Sequence, residues 1–364
     1  MITRSKSKDI IFLLGAGASA EADIPPSGRM IEQIENLMKD DAEWKGFLQL
    51  YHHIKSAIYY AAGLKGQFGD AVPYNIETLV NTLYELERNE QHPLYPFIAS
   101  WNSRLVALAK SDFSEVKAFR RLILKKLKKW MSPDDSSQAE YYQGFARLQR
   151  DLNCSLRIFS LNYDLCVERL DAAGFRVESG FEDVGKKYTW DWERFEDNEA
   201  GPTPPEAYLY KLHGSINWRR DKQTKELFSV EQTEGIEPED MEVIFGRDFK
   251  LEAADPYLFY AYEFRRFSLV ARVVVSIGYG FGDGHINKML SQALKADNGR
   301  RLLIVANCAD ANATEQRRKE IAKALEVDEI QVSMHVGTAK QYLELPDLKS
   351  SLLSLIPTNP DAPF

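Results

Sequence analysis

An asparagine, an aspartate and a histidine follow two apolar segments of this chain directly, and their types suit chemistry on a sugar. Asn162 and Asp164 come after Leu156–Leu161, and His213 comes after Tyr208–Leu212. An imidazole that titrates near neutral pH suits general-base work, an amide can hold a water or a ribose hydroxyl, and a carboxylate can orient a base or bind a ribose. The structural alternatives are an Asx turn and helix cap for Asp164, and a loop held by backbone hydrogen bonds for His213.

A glycine-rich turn follows the first apolar run, Ile10–Leu14. Its residues Gly15, Ala16, Gly17, Ala18 and Ser19, followed by Ala20, fit the G-x-G-x-x-A form of a dinucleotide-binding turn. We expect the segment Gly15–Ser19 to hold phosphates, although small residues often only pack a strand–helix turn. The acidic residue expected about 20 positions later is not recognisable, which counts against an ordinary dehydrogenase.

Two more strand-like segments end in small or polar residues. Gly278, Tyr279 and Asp283 follow Val273–Ile277, and Asn307 follows Leu302–Ala306. The carboxyl ends of parallel strands share one edge of a sheet, and ligands bind in the crevice there. We therefore expect these four residues to bind a nucleotide, with Asp283 also able to open the next helix as its N-cap.

The elements that must position these residues alternate between strands and helices. The five apolar runs and a weaker sixth at Ile330–Val336 predict an α/β fold, a Rossmann-like parallel sheet with helices on both faces. Helical periodicity without a convincing strand predicts a mainly helical insertion at 30–149, which leaves 1–29 and 150–364 as the Rossmann-like domain. Helices are predicted after the strands, for example at Leu165–Ala173. Two polar stretches are predicted to be surface loops: Glu178–Glu206 and Arg219–Asp240.

Composition narrows the class of protein. The 364 residues are 44% hydrophobic and 27% charged, with a formal charge of −8, which excludes disordered and collagen-like chains and makes strong direct nucleic-acid binding unexpected. The three cysteines form no Cys-x-x-Cys pair, which indicates a reducing, cytoplasmic location and no zinc site built from cysteines. No apolar run is long enough to span a membrane. A basic helix face is predicted to be a solvated surface, with a partner or nucleic-acid face as the alternative: Arg120, Arg121, Lys125, Lys126, Lys128 and Lys129.

Taken together, the motifs resemble the sirtuin superfamily, specifically its bacterial sirtuin-like branch found in anti-phage defence proteins. The segments that carry the resemblance occur in the family's order and span most of the chain: GAGASAEADIPPSG (Gly15–Gly28), NIETLV (Asn75–Val80), FSLNYD (Phe159–Asp164), YLYKLHGSINW (Tyr208–Trp218), GYGFGDGHIN (Gly278–Asn287) and LLIVAN (Leu302–Asn307). The resemblance implies an NAD-binding Rossmann-like domain. It also implies that Asn162 and His213 are a catalytic pair, that Asp164 supports the ribose or its neighbours, and that Gly15–Ser19 holds the phosphates.

The departures from protein-deacylating sirtuins also carry information. The four-cysteine zinc module of those enzymes has no counterpart here, and their G-I-P-D-F-R stretch is replaced by Ile24-Pro25-Pro26-Ser27-Gly28-Arg29. The resemblance to the defence branch then implies an NAD glycohydrolase that releases nicotinamide and ADP-ribose and acts by NAD depletion. It implies gating by self-assembly into a homo-oligomer or by a partner such as a HerA-type ATPase. Deacylation, ADP-ribosyl transfer and nucleotide sensing without turnover stay open as alternatives.

Overall fold

A computed structural model describes residues 8–69, 72, 74–88, 102–133, 135–183, 187–200, 203–231, 233, 235–244 and 255–356 of the chain. Its strands are β1 (Ile10–Leu14), β2 (Leu156–Ser160), β3 (Val177–Glu178), β4 (Phe181–Asp183), β5 (Tyr188–Trp190), β6 (Ala207–Lys211), β7 (Trp218–Arg220), β8 (Leu227–Ser229), β9 (Val273–Ile277), β10 (Arg301–Ala306) and β11 (Val332–Val336).

The α-helices divide into two groups by their position along the chain. Between β1 and β2 lie α1 (Ser27–Asp40), α2 (Ala42–Lys45), α3 (Leu48–Leu64), α4 (Ile76–Glu87), α5 (Ser103–Ala109), α6 (Ser114–Met131) and α7 (Gln143–Leu152). After β2 come α8 (Glu193–Ala200), α9 (Tyr257–Ser268), α10 (Gly284–Ala296), α11 (Ala311–Leu325), α12 (Ala339–Leu343) and α13 (Leu348–Ser354). Short 3-10 segments lie at Ala16–Ala22, Ser136–Tyr142, Glu168–Ala173, Pro238–Asp240 and Glu329–Gln331. Among the described residues, no helix is both long and apolar enough to span a bilayer.

The main sheet has seven strands in the order β11-β10-β9-β1-β2-β6-β3, and all of its pairings are parallel. The chain builds outwards from β1 in one direction through β2 and β6, then returns to build outwards in the other direction through β9, β10 and β11. The six strands other than β3 therefore follow the Rossmann order, with the topological switch between β1 and β9. The predicted α/β fold is confirmed, and the crevice for a ligand is expected at the carboxyl ends of these two strands.

The core lies on both faces of this sheet, because successive side chains of a strand point to opposite faces. On one face, Phe12 and Leu14 belong to a buried cluster that also contains residues of the helices between β1 and β2, and the rings of Phe12 and Phe145 are 5.2 Å apart. On the other face, Ile11 and Leu13 pack with residues of α9, α10 and α11. The helices between β1 and β2 thus share a continuous core with the sheet.

Two predictions about secondary structure were wrong. The stretches predicted as long surface loops contain the second sheet, an antiparallel one of order β4-β5-β8-β7. Its strands are only three residues long and partly exposed, so they lack the apolar run that marks a buried strand. The α-helix predicted at Leu165–Ala173 is a 3-10 segment, Glu168–Ala173, that ends at Gly174 with φ of 79°.

The basic face predicted on α6 is partly neutralised by neighbouring elements. Arg120 pairs with Glu87 at 2.6 Å, Arg121 pairs with Glu237 at 3.0 Å, and Lys128 donates to the backbone carbonyl of Ile236. The contact of Arg120 ties α6 to α4, and those of Arg121 and Lys128 tie it to the segment that precedes Pro238–Asp240. Together they favour the structural interpretation of these side chains.

Candidate active site

A cavity of about 470 Å³ lies at the carboxyl ends of the central strands, at the switch between β1 and β9. Asn162, Asp164 and His213 line it together with Asp283 and Tyr279. The remaining walls come from the turns after β1 and β9, the segment Ile24–Gly28, and residues of α4 and α6. The structure therefore brings the predicted amide and carboxylate, which follow β2, and the predicted imidazole, which follows β6, to one cavity.

The hydroxyl of Ser19 fixes how the Asn162 amide is presented. Ser19 Oγ donates its proton to Asp164 Oδ2 at 2.7 Å and accepts from Asn162 Nδ2 at 3.1 Å. Since that single proton is used, Tyr142 must be the donor in its 2.9 Å contact with Ser19 Oγ. Burial raises the pKa of Tyr142 well above its ordinary value, which keeps the phenol protonated as a donor.

This network orients Asn162 with its nitrogen towards the protein. The Asn162 backbone N–H also donates to Ser160 Oγ at 3.1 Å. Asp164 uses its second oxygen to accept from the backbone N–H of Cys166 at 3.0 Å, so both of its oxygens hold protein groups. Asp164 thus positions Asn162 through Ser19.

His213 is held by a residue that follows a distant strand. Its Nε2 lies 3.0 Å from Oδ2 of Asp283, although β6 and β9 are separated in the sheet by β1 and β2. Both side chains are nearly buried, with 5% and 7% of their surface exposed. His213 Nδ1 is buried and has no hydrogen-bond partner within the described part of the chain, a costly arrangement that a group on a bound ligand would relieve.

Asp283 has two functions in this geometry. Its Oδ1 caps α10 by accepting from the backbone N–H groups of His285 and Ile286, while its Oδ2 faces His213. The sequence predicted a cofactor-binding residue or a helix cap at this position, and the contact with His213 was missed because nothing local in the sequence signals it. His285 is exposed and does not line the cavity.

The glycine turns after β1 and β9 pack against each other. Gly17 N–H donates to Gly278 O at 2.9 Å, and Gly278 has φ of 65°. A Cβ added to Gly278 would lie 2.1 Å from the backbone nitrogen of Ala18. The glycines are therefore required for this close approach of two backbones, in addition to any approach of a phosphate.

The residues predicted to bind a nucleotide divide between two neighbouring cavities and the interior. Gly15, Ala16 and Gly17 line the first cavity, as do Gly278 and Tyr279. Asn307 instead lines a second cavity of about 710 Å³ over the ends of β10 and β11, which shares Gly17, Gly278, Tyr279 and Gly280 with the first. Ala18 and Ser19 line neither cavity, because both are buried behind the turn with at most 1% of their surface exposed.

Three contributors to the site were missed at the sequence level. Tyr142 comes from the 3-10 segment that precedes α7, Glu77 comes from α4, and Tyr163 lies between Asn162 and Asp164. Tyr163 donates its hydroxyl to the backbone carbonyl of Ile244 at 2.7 Å and contacts Glu77 Oε1 at 3.3 Å. Glu77 lies within the NIETLV segment, but only the fold shows that α4 borders the sheet edge.

Cys166 lies in an environment that disfavours chemistry by its thiol. Cys166 is buried next to Asp164, and burial raises the pKa of its thiol, which disfavours the nucleophilic thiolate. Within the described ranges, no group of three or more histidine, cysteine, aspartate or glutamate side chains is arranged to hold a metal ion.

One known domain family matches part of this chain. Residues 156–330 match the SIR2-like domain. This match includes Asn162, Asp164, His213 and the turn after β9, and it supports the resemblance to the sirtuin superfamily. Among curated proteins, no match was found.

Solved structures of Sir2 homologues align with nearly the whole chain at low similarity. A triple mutant in complex with 2′-O-acetyl ADP ribose has 15% identity over 99% of this chain and 97% of that chain, with a TM-score of 0.43. A Sir2 homologue–NAD complex has 13% identity over 95% of this chain and 90% of that chain, with a TM-score of 0.44.

Proposed function

We propose that this protein is an NAD+ glycohydrolase that cleaves NAD+ into nicotinamide and ADP-ribose. The observation that carries the proposal is the convergence of Asn162 and His213 on one cavity at the switch of a Rossmann-ordered sheet. The match of residues 156–330 to the SIR2-like domain supports it. The proposed catalytic residues are Asn162 and His213, and Asp164 and Asp283 position them.

The two neighbouring cavities suit the two halves of a dinucleotide. The nicotinamide ribose would lie in the first cavity beside Asn162, and the adenosine would lie in the second cavity beside Asn307. The diphosphate would cross the turns that both cavities share, which contain Gly17 and Gly278. Backbone turns of this kind can approach phosphates closely because glycine has no side chain.

The chemistry requires little beyond positioning. Nicotinamide in NAD+ is a cationic leaving group, so its departure needs no general acid and leaves an oxocarbenium-like ribose. Asn162 Oδ1 has no hydrogen-bond partner among the described residues and would hold the attacking water or a ribose hydroxyl. His213 would take the water's proton on Nδ1, and Asp283 would stabilise the resulting imidazolium.

The alternatives use the same first step and differ in the acceptor. In NAD-dependent deacylation or ADP-ribosyl transfer, an acylated or target protein would replace water. A sensing module would bind NAD+ or ADP-ribose without turnover. Pro26, Ser27 and Gly28 line the first cavity, and they belong to the stretch that differs from the protein-deacylating sirtuins. In our proposal, this difference favours water as the acceptor.

We also propose the biological setting that the sequence resemblance implies. The protein would act in the bacterial cytoplasm in anti-phage defence, by depleting NAD+. Because unregulated cleavage would exhaust the cell's NAD+, activity would be gated by homo-oligomer assembly or by a partner such as a HerA-type ATPase. The supporting feature is the resemblance of the ordered motifs to the defence branch.

The decisive experiment measures nicotinamide release from NAD+ by the purified protein, alone and with a HerA-type ATPase. Release without any acylated peptide or target protein would support the glycohydrolase. Release that requires such an acceptor would support deacylation or transfer, and ADP-ribose binding without turnover in either condition would support the sensing module. Either of the last two results would overturn the proposal.

A further inference from the structure

The first cavity is acidic, and the roles proposed for Asn162 and His213 do not account for this acidity. Glu77, Asp164 and Asp283 line it, and within the described part of the chain no lysine or arginine does. A cavity of this charge disfavours a phosphate and favours a cationic group. In NAD+, the positive charge resides on the nicotinamide ring and moves to the ribose as the bond between them breaks.

The carboxylates differ in where they come from and in what they hold. Asp164 is hydrogen-bonded to Ser19 and Cys166, and Asp283 caps α10 and faces His213. Glu77 instead comes from α4, a helix between β1 and β2, and lines the same cavity. It lies in the first turn of that helix, two residues after the N-cap Asn75, whose side chain accepts from the Thr78 N–H at 2.9 Å.

Contacts with Tyr163 place Glu77 next to the catalytic pair. Tyr163 OH lies 3.3 Å from Glu77 Oε1, and Tyr163 directly follows Asn162 in the chain. The rings of Tyr163 and His213 have their centroids 6.4 Å apart. A ribose held between Asn162 and His213 would therefore lie beside the Glu77 carboxylate.

We propose that Glu77 is a further catalytic residue, whose carboxylate contacts the nicotinamide ribose and stabilises its positive charge. The inference rests on the proposed glycohydrolase function. In the step concerned, the C1′–N bond breaks and both electrons go to nicotinamide, which leaves neutral. The positive charge passes to C1′ and the ring oxygen, water adds to C1′, and its proton goes to His213. A fixed carboxylate in a partly buried site stabilises such charge more strongly than water does.

The first test is turnover by the Glu77→Gln variant, which keeps the size and hydrogen-bonding ability of the side chain. We expect its rate of nicotinamide release to fall about 10²-fold, a typical loss for removing one electrostatic group from an active site. Glu85→Gln is the matched control, because Glu85 is exposed on the same helix and does not line the cavity. A wild-type rate for Glu77→Gln would overturn the proposal.

The second test measures binding and does not depend on turnover. Carba-NAD+ keeps the cationic nicotinamide but has a methylene in place of the ribose ring oxygen, so it resists cleavage. By titration calorimetry, Glu77→Gln should bind carba-NAD+ about tenfold more weakly than the wild type does and bind ADP-ribose, which lacks the cation, equally well. Equal effects on both ligands, or none on carba-NAD+, would overturn the assignment of Glu77 to the cation.

The two tests separate failure of this inference from failure of the proposed function. A wild-type protein that never releases nicotinamide would refute the glycohydrolase, while selective weakening of carba-NAD+ would still support Glu77 as the cation-binding residue. Tyr163→Phe removes the contact with Glu77 but keeps the carboxylate. If Tyr163→Phe reproduces the whole Glu77→Gln defect, Glu77 acts through Tyr163, and the proposal is wrong.

Discussion

At the residue scale, the central feature is a buried hydroxyl whose hydrogen bonds are fully used. Ser19 Oγ contacts Tyr142, Asn162 and Asp164, and it has one proton and two lone pairs to satisfy them. The direction of each hydrogen bond is therefore determined, and with it the orientation of the Asn162 amide. A buried network of this kind specifies one arrangement because every alternative leaves a polar group without a partner.

Replacing Ser19 and replacing Tyr142 should have different consequences. Ser19→Ala removes the contact that orients Asn162, so we expect both a large loss of nicotinamide release and a destabilisation of about 1–3 kcal/mol for each buried group left unsatisfied. Tyr142→Phe removes one donor and leaves the contacts to Asn162 and Asp164 in place, so it should cost about 1 kcal/mol and change the rate only a few-fold. Urea unfolding and the nicotinamide assay measure both quantities. Equal rate losses in the two variants would contradict this account of the network.

The proposed catalytic pair can be tested by truncation. His213→Ala should lower nicotinamide release by about 10²- to 10⁴-fold, the range for loss of a general base, and Asn162→Ala should abolish it. Both side chains also contribute to buried contacts, so circular dichroism and thermal unfolding must show that the variants fold. Folded variants with near-normal rates would show that the site assignment is wrong.

At the element scale, the turns after β1 and β9 must pass very close to each other. Gly15 N–H donates to Ile277 O and Gly17 N–H donates to Gly278 O, both at 2.9 Å. The same two turns border both cavities, so any displacement of one turn from the other would change the path proposed for the diphosphate.

Gly278→Ala should therefore be strongly destabilising. The positive φ of 65° alone costs a non-glycine residue about 1–2 kcal/mol, and the added Cβ would also collide with the backbone of the neighbouring turn. We expect a total above 2 kcal/mol by urea unfolding, together with weaker ADP-ribose binding. Gly284→Ala is the matched control, because a Cβ there meets nothing within 4 Å. Similar stabilities for the two variants would contradict the packing argument.

The main strands could be predicted from the sequence because burial on both faces leaves continuous apolar runs. β1 and β9 have the predicted bounds, and β2 and β6 differ from the prediction by about a residue at an end. The second sheet could not be predicted, since strands of three residues carry no periodicity to detect. Glu168–Ala173 is a 3-10 segment where an α-helix was predicted. At its start, Lys211 holds the chain by donating to the backbone carbonyl of Asp164 and to the side chain of Glu168.

Residues of the site could be predicted from the sequence only where a polar or titratable residue directly follows an apolar run. Asn162 and His213 each follow an apolar run, so the sheet topology alone brings them to one edge. The contact between His213 and Asp283 and the presence of Glu77 in the same cavity depend on how loops and α4 fold over that edge. Such contacts arise from tertiary packing, which no local pattern in the chain encodes.

At the scale of the whole molecule, the helices between β1 and β2 are part of the active-site wall. Leu127 and Met131 of α6 and Ile76 of α4 line the first cavity, and residues of the same helices belong to the core cluster that contains Phe12. We propose that residues 30–149 form an insertion that completes the nicotinamide end of the site. In this proposal, the sheet edge alone would leave that end of the cavity open to water.

A ligand that fills both cavities should stabilise the whole fold, because their walls come from the turns after six strands and from the inserted helices. At 100 times its Kd, ADP-ribose should raise the free energy of unfolding by about 2.7 kcal/mol, since it binds the folded state only. AMP and ribose 5-phosphate serve as half-site controls and should each stabilise less at the same concentration, because each reaches one cavity. Urea unfolding with each ligand measures these differences. If AMP stabilised the protein as much as ADP-ribose does, the first cavity would contribute nothing to binding, and the proposed placement of the ribose beside Asn162 and His213 would be refuted.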